Sequence, residues 1–248
     1  FSLNQIFFFH AVKDRSEGSG FLELVPYGLI LLLIVGLMML EPHMSGTILI
    51  LAGAAAVLFA AGIKLYWFAG GGAALMGLVV LMMSGYQSPR ILVWQDPWAY
   101  PRDGGYQIIQ SLYAIGSGGL LGLGLGKSRQ KFLYLPEPEN DFIFAIVCEE
   151  LGLIGAGIVL ILFALLVMRG YWIAIHARDR FGALLVVGIT TLTAVQVFLN
   201  ISVVTNLIPT TGISLPFFSY GGTALMIQLA EMGIILSVSR QIPAPRQE

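Results

Sequence analysis

Charge is what this chain has least of. Asp, Glu, Lys and Arg together supply 11% of its 248 residues, against 57% hydrophobic residues, a balance far from that of a soluble domain. It has no basic excess either: the formal net charge is −1, which leaves nothing to neutralise phosphates along a nucleic-acid strand. Cysteine is nearly absent. The lone Cys148 excludes an internal disulfide and a thiolate metal cluster, and its apolar neighbourhood reads as an inert buried thiol. The three histidines, His10, His43 and His176, are too dispersed to form a ligand set. No signal-peptide pattern opens the chain at Phe1,. Phe1 to His10 reads as the tail of an earlier helix, too short to span a bilayer. The expectation is that a longer protein precedes it.

What is present is a series of apolar runs, most of them near the ~20 residues a bilayer requires. They lie at about 21–40, 47–63, 65–83, 142–168, 181–204 and 220–238, the third loosened by Gly70, Gly71 and Gly72. A barrel would show short alternating segments instead. The fold class is therefore an all-α polytopic transmembrane bundle of about six spans, read as a single domain over 1–248. Residues 84–141 form one long, mostly polar loop between the third and fourth spans. Its Trp94, Trp98, Tyr100 and Tyr106 suit a membrane interface, and Gln107 to Ile115 suits a short helix on or dipping into the bilayer. Alternating the spans puts Lys13, Arg15, Lys64, Arg169, Arg178, Arg180, Arg240 and Arg246 on one side. Arg90, Arg102, Lys127, Arg129 and Lys131 fall on the other, all in the long loop. Short loops decide orientation, so the first side is cytoplasmic and the long loop faces outward.

The chemistry concentrates between Lys127 and Gly152. Three cations, Lys127, Arg129 and Lys131, precede a Pro-punctuated acidic turn (Pro136, Glu137, Pro138, Glu139), then Asn140 and Asp141, and an apolar run follows at once. A carboxylate beside a cationic clamp is what sugar transfer from a phosphate-linked donor requires, as base and as stabiliser of the leaving group. The plainer reading of Asp141 is a helix N-cap. The glycines from Gly116 to Gly126 before Lys127-Ser128 are not a phosphate-binding P-loop, because that spacing needs glycine where Leu121 stands. A flexible or re-entrant outer loop fits better. Thr193, Gln196 and Asn200 share one face of the fifth span, and Gln228 and Glu231 lie inside the sixth. Such residues bond between helices or line a pathway; Glu231, Glu149 and Glu150 favour a lined cavity. From Asn206 to Gly222 prolines and glycines break the chain, which in a membrane is tolerated where backbone is buried or lines a cavity.

Three segments carry a resemblance: DGGYQIIQSLYAIGSGGLLGLGLGKSRQK, KFLYLPEPENDFIFAIVCEELGLIGA and LIPTTGISLPFFSYGGTALM. In that order they resemble the SEDS family (shape, elongation, division and sporulation), closer to its division and sporulation branch. The likeness covers nearly the whole chain from the first full span onward. It implies the C-terminal part of a ten-helix protein that polymerises lipid II into glycan strands outside the cytoplasmic membrane. The implied partners are a class B penicillin-binding protein (a transpeptidase), divisome or sporulation proteins, and membrane lipid. The family's essential aspartate falls on Asp141, and its nearby basic and amide positions on Lys131 and Gln130. Glu137 of the LPE motif and the turn Ser219, Tyr220, Gly221 and Gly222 join Lys127 and Arg129 as substrate-binding residues. Gln196, Asn200 and Glu231 are expected to line a cavity.

The expected mechanism is inverting, with Asp141 as the base and the cations steadying a departing diphosphate; retention would need a second carboxylate, Glu137 or Glu139. The candidate metal is a divalent cation, Mg or Mn, held by Asp141 and substrate phosphate oxygens. Rival readings are a transporter that flips lipid-linked precursors and a non-catalytic scaffold for the transpeptidase. The chain departs from the family at Glu41-Pro42-His43-Met44, where many members carry an aspartate in place of His43.

Overall fold

The computed structural model describes residues 21–40, 44–63, 70, 88–102, 104–130 and 139–242. Among these every regular element is helical: α1 (Phe21–Leu40), α2 (Met44–Ala60), α3 (Ser88–Gln95), a 3₁₀ turn (Pro97–Ala99), α4 (Gly105–Gly118), α5 (Ile143–His176), α6 (Arg180–Val204) and α7 (Gly222–Ser239). Helices α5, α6 and α7 are long and apolar enough to cross a membrane, and α1 and α2 contain shorter apolar stretches. The all-α polytopic architecture expected from the hydrophobic runs is what is found. Apart from Gly70, the third expected span, about 65–83, lies outside the described residues, as does His43. The long polar loop carries α3, the 3₁₀ turn and α4, which extends the short helix expected at Gln107 to Ile115.

The fourth span outruns its expected end at Met168. Arg169 reads as a terminus in sequence, yet its guanidinium sits 4.1 Å from the Trp172 ring centroid, and Trp172 stacks on His176 with centroids 4.3 Å apart. Stacking on an aromatic face lets a cation continue the helix. The helix stops only before Arg178-Asp179, where Asp179 accepts from the Gly182 amide at 2.9 Å.

The chain forms two compact units, one of residues 1–69, 169–192 and 231–248, the other of residues 70–168 and 193–230. The first packs Ile173 and Ala174 with Val186, Ile189, Ile235 and Val238. Its Gly170 leaves room for Thr190, which a Cβ would strike, and the Tyr171 hydroxyl pairs with that of Thr191 at 2.9 Å. The second unit is centred on Phe142, Phe144, Ala145, Ile146, Cys148, Phe163, Val197, Val204 and Leu215, and holds the candidate site.

Within that second unit α5 is interrupted at Gly152, whose φ is 68° and ψ −171°. An unbroken helix would bond the amides of Leu153 and Ile154 to the carbonyls of Glu149 and Glu150. Here the glycine-rich segment after α4 is inserted into both bonds. Leu123 and Gly124 donate to the Glu149 and Glu150 carbonyls (2.9 and 3.0 Å), while the Leu153 and Ile154 amides donate to Gly119 and Leu120 (2.9 and 3.2 Å). The segment expected to be a loose outer loop is thus stitched, main chain to main chain, into a broken helix. Approach this close excludes a Cβ: one on Gly122 would meet the Glu150 carbonyl, and one on Gly152 the backbone of Leu120 and Gly122.

Gly152→Ala is therefore expected to lower stability by roughly 2 kcal/mol or more, from a strained positive φ plus a backbone collision. Gly157→Ala is the control, since a Cβ there meets nothing within 4 Å; it should leave stability unchanged or raise it by up to about 1 kcal/mol. Thermal unfolding of the full-length protein in detergent checks both.

Candidate active site

Asp141 lies half-buried in the turn that leads into α5. The segment between α6 and α7, together with Asn200 of α6, takes the carbonyls of this turn one after another. The Tyr220 amide donates to the Glu139 carbonyl at 2.8 Å, the Ser219 hydroxyl to that of Asn140 at 2.6 Å, and the Asn200 side-chain amide to that of Asp141 at 2.8 Å. The same Asn200 nitrogen also donates to the Ile213 carbonyl at 2.7 Å. With 1% of its surface exposed, Asn200 is a buried fork joining the Asp141 turn to the α6–α7 segment. Such bonds have no competition from water, which raises their worth. The Asn200 carbonyl oxygen, also buried, has no hydrogen-bond partner.

That segment is itself held from several directions. Two residues past the end of α6 at Val204, Asn206 takes a left-handed φ of 59°; Asn readily ends a helix this way. The Trp94 indole donates to the Asn206 carbonyl at 3.1 Å, Arg90 donates to the Thr210 carbonyl at 3.3 Å, and the Ser111 hydroxyl on α4 reaches the Val204 carbonyl at 2.8 Å. Gln196 donates to the Ser214 carbonyl at 3.0 Å. Gln228 accepts from the Phe217 amide at 2.8 Å, where Phe217 is bent to a φ of 64°. Ser219 closes a tight turn by accepting from the Leu215 amide at 2.7 Å. Beside Asp141 the chain presents bare backbone: a Cβ on Gly212 would lie 3.5 Å from the Asp141 Oδ2, and Gly212 has a φ of +70°. The positive φ favours glycine there, while the contact with Asp141 would be an ordinary one.

The structure brings Asp141, Asn200, Gln196 and Ser219 into one bonded arrangement. Tyr220 takes part through its amide while its side chain is 79% exposed. Gly221 and Gly222 open α7, with the Gly221 carbonyl accepting from Leu225 at 2.9 Å. Gln196 and Asn200, expected to line a cavity, bond the backbone of the broken segment. Glu231 is half-buried on α7 and belongs to the other unit. Lys127 and Arg129 are exposed and Gln130 is half-buried; Lys131 and Glu137 lie outside the described residues.

The expectation for Glu149 and Glu150 is revised. Glu149, 1% exposed, accepts from the amides of Arg129 and Gln130 (3.1 and 3.3 Å) and from the hydroxyls of Ser117, at 3.4 Å, and Ser128. Glu150 accepts from the amides of Gly126 and Ser128 (2.9 and 3.3 Å). These carboxylates are engaged by the glycine-rich segment. Sequence reading missed this, along with the parts played by Arg90, Trp94, Ser111 and Gly212. Only Gly212 left a signal, a glycine after Thr-Thr within a broken stretch. Among the described residues no group of three His, Cys, Asp or Glu side chains gathers as a metal site.

Known proteins resemble the chain over almost its whole length. A family model described as "Cell cycle protein", covering FtsW, RodA and SpoVE, matches residues 7–243. Stage V sporulation protein E of Bacillus subtilis is 50% identical over 206 residues, 82% of this chain and 56% of that protein. A probable peptidoglycan glycosyltransferase FtsW of Geobacter is 44% identical over 232 residues, 93% of this chain and 62% of that one. The chain thus spans about three-fifths of the length of these curated relatives. Among solved structures, a chain from a peptidoglycan synthase complex that coordinates polymerization and crosslinking aligns with a TM-score of 0.78 at 29% identity, over 98% of this chain and 68% of that one. The rod shape determining protein RodA of Thermus thermophilus aligns with a TM-score of 0.64 at 27% identity, over 98% and 64%.

Asn200→Ala should destabilise the protein by about 2 kcal/mol, because two carbonyls buried in the fold lose their donor. Asn200→Asp keeps the shape but cannot donate, and should cost at least as much. Hydrogen exchange at residues 139–142 together with thermal unfolding measures both effects.

Proposed function

We propose a glycan-polymerising role for this chain, which belongs to the FtsW/RodA/SpoVE family of cell cycle proteins. On this reading it joins lipid II units into glycan strands, with Asp141 as general base. The hydroxyl of the acceptor sugar attacks the anomeric carbon of the lipid-linked chain, its proton passes to the Asp141 carboxylate, and a polyprenyl diphosphate departs. Lys127, Arg129 and Lys131 meet the charge that develops on the leaving group. The observation that carries the proposal is the triple fastening of the Glu139–Asp141 backbone beside bare Gly212. It fixes the backbone that carries the carboxylate where a polar turn meets an apolar helix, with the Gly212 backbone beside the carboxylate. Fixing a reacting group in this way is a large part of catalysis by positioning.

A single displacement inverts the anomeric centre with one base, whereas retention requires a second carboxylate about 5 Å away as nucleophile. On this reading Asp141 acts as the single base and the displacement inverts; Glu139 is exposed. A Mg or Mn ion, where one takes part, would be held by Asp141 together with the substrate's diphosphate oxygens, the oxygen-rich pattern such ions prefer.

The protein is a membrane protein. Its placement in the plasma membrane with Asp141 outward is part of this proposal, supported by the sequence pattern: Arg178, Arg180 and Arg240 fall in or beside short connections, whereas the cations near Asp141 fall in the one long loop,. A transpeptidase partner of the class B penicillin-binding type is supported by the matched synthase complex, which couples polymerization to crosslinking. Membrane lipid, and divisome or sporulation proteins, complete the surroundings, the last in keeping with the sporulation relative.

The test is polymerisation of lipid II by the purified full-length protein in detergent, with and without its transpeptidase. Asp141→Asn is expected to lower the rate by a factor of about 10² to 10⁴, the contribution of a positioned base, while thermal unfolding stays close to that of the parent. Full activity of that variant removes the assignment. A lipid flippase would make no polymer in detergent, where there is no membrane to cross, and a scaffold would make none either.

A further inference from the structure

We propose that Glu149 and Glu150 are positioning residues that fix the Gly126–Gln130 segment, so that Lys127 and Arg129 meet the substrate's diphosphate. The role rests on the polymerase reading above. The two carboxylates are adjacent on α5, just before the break at Gly152, and between them accept from the amides of Gly126, Ser128, Arg129 and Gln130. The Ser128 hydroxyl adds a further bond to Glu149. Ser128 is fully buried in this grip, while Lys127 and Arg129 on either side of it are exposed. Amides and hydroxyl turned inward to the carboxylates leave the neighbouring cations outward.

Glutamate is an expensive residue to place in an apolar helix, and neutral side chains or simple continuity of α5 would satisfy the backbone at lower cost. Two carboxylates do something those alternatives do not. They accept without donating, so every contact they make must be a donor from the segment. They also place negative charge behind two like cations and lessen the repulsion that would splay them. The stitch at residues 119–124 fixes the near end of the segment to α5, and the carboxylate grip fixes the part that carries the charges.

The probe is farnesyl diphosphate, a short isoprenyl diphosphate, titrated into full-length protein in detergent, with hydrogen exchange read at residues 126–130. In the parent these amides should exchange slowly, as hydrogen-bonded amides do. Glu149→Gln turns one acceptor oxygen into a donor facing other donors. It is expected to speed exchange there and to weaken diphosphate binding about 10-fold, the effect of losing a charge-assisted bond; Glu150→Gln should act in the same direction. Ser128→Ala keeps both carboxylates and removes one hydroxyl, so it serves where the Glu149 variant does not fold; about a 3-fold weakening is expected. Faster exchange with unchanged diphosphate affinity overturns the proposal, and so does unchanged exchange. Parent protein that binds no diphosphate overturns both this inference and the polymerase reading. A protein whose diphosphate binding depends on this grip, yet which makes no glycan, loses only the polymerase reading.

Discussion

Where a helix breaks among apolar neighbours, the carbonyls and amides it releases cannot turn to water, and each must be met by a group the protein itself provides. The second unit is shaped by this requirement at two places. At Gly152 the partner is main chain, supplied by the glycine-rich segment. Between Asn206 and Gly222 the partners are side chains: Asn200, Gln196, Gln228, Ser219, Trp94 and Arg90 each take a backbone group of the broken stretch or of the turn it wraps. Gln196, Asn200 and Gln228, polar residues within the apolar helices of this unit, are thus occupied with repair.

The two repairs are linked through α5. Its first residues follow directly from the Asp141 turn, and its Glu149 and Glu150 lie within the next turns, before the interruption. One stretch of helix therefore connects the carboxylate proposed to take a proton and the carboxylates proposed to hold the cations. Both ends are referenced to the same packed core of Phe142, Phe144, Ile146 and Cys148. Rigid mounting of this kind is what a reaction with a charged leaving group demands, because preorganised charge is not rearranged when the bond breaks.

Much of the fold could be read in advance because membrane spans announce themselves by length and composition. The runs at 21–40, 181–204 and 220–238 became α1, α6 and α7 almost as written. Asp141 was legible as the carboxylate at a polar-to-apolar border, and Thr193, Gln196 and Asn200 as one helical face. What those side chains touch was not legible. Asn200 bonds to a carbonyl 59 positions away, and spacing along one helix carries no information about a distant turn. Glu149 was misjudged for a related reason. A carboxylate in an apolar run advertises water or a ligand, whereas here its partners are main-chain amides, whose availability depends on conformation and not on residue type. Arg169 misled in the opposite direction, since its stacking on Trp172 allows α5 to run past the charge.

The join between residues 119–124 and 149–154 is made of peptide groups alone. Leu120, Leu121 and Leu125 contribute no side chain to it and are 66%, 80% and 77% exposed. Evolution can therefore rewrite those three letters without disturbing the joint beneath them. The outer skin of this segment is free to change its side chains, while the main-chain joint beneath it keeps its geometry.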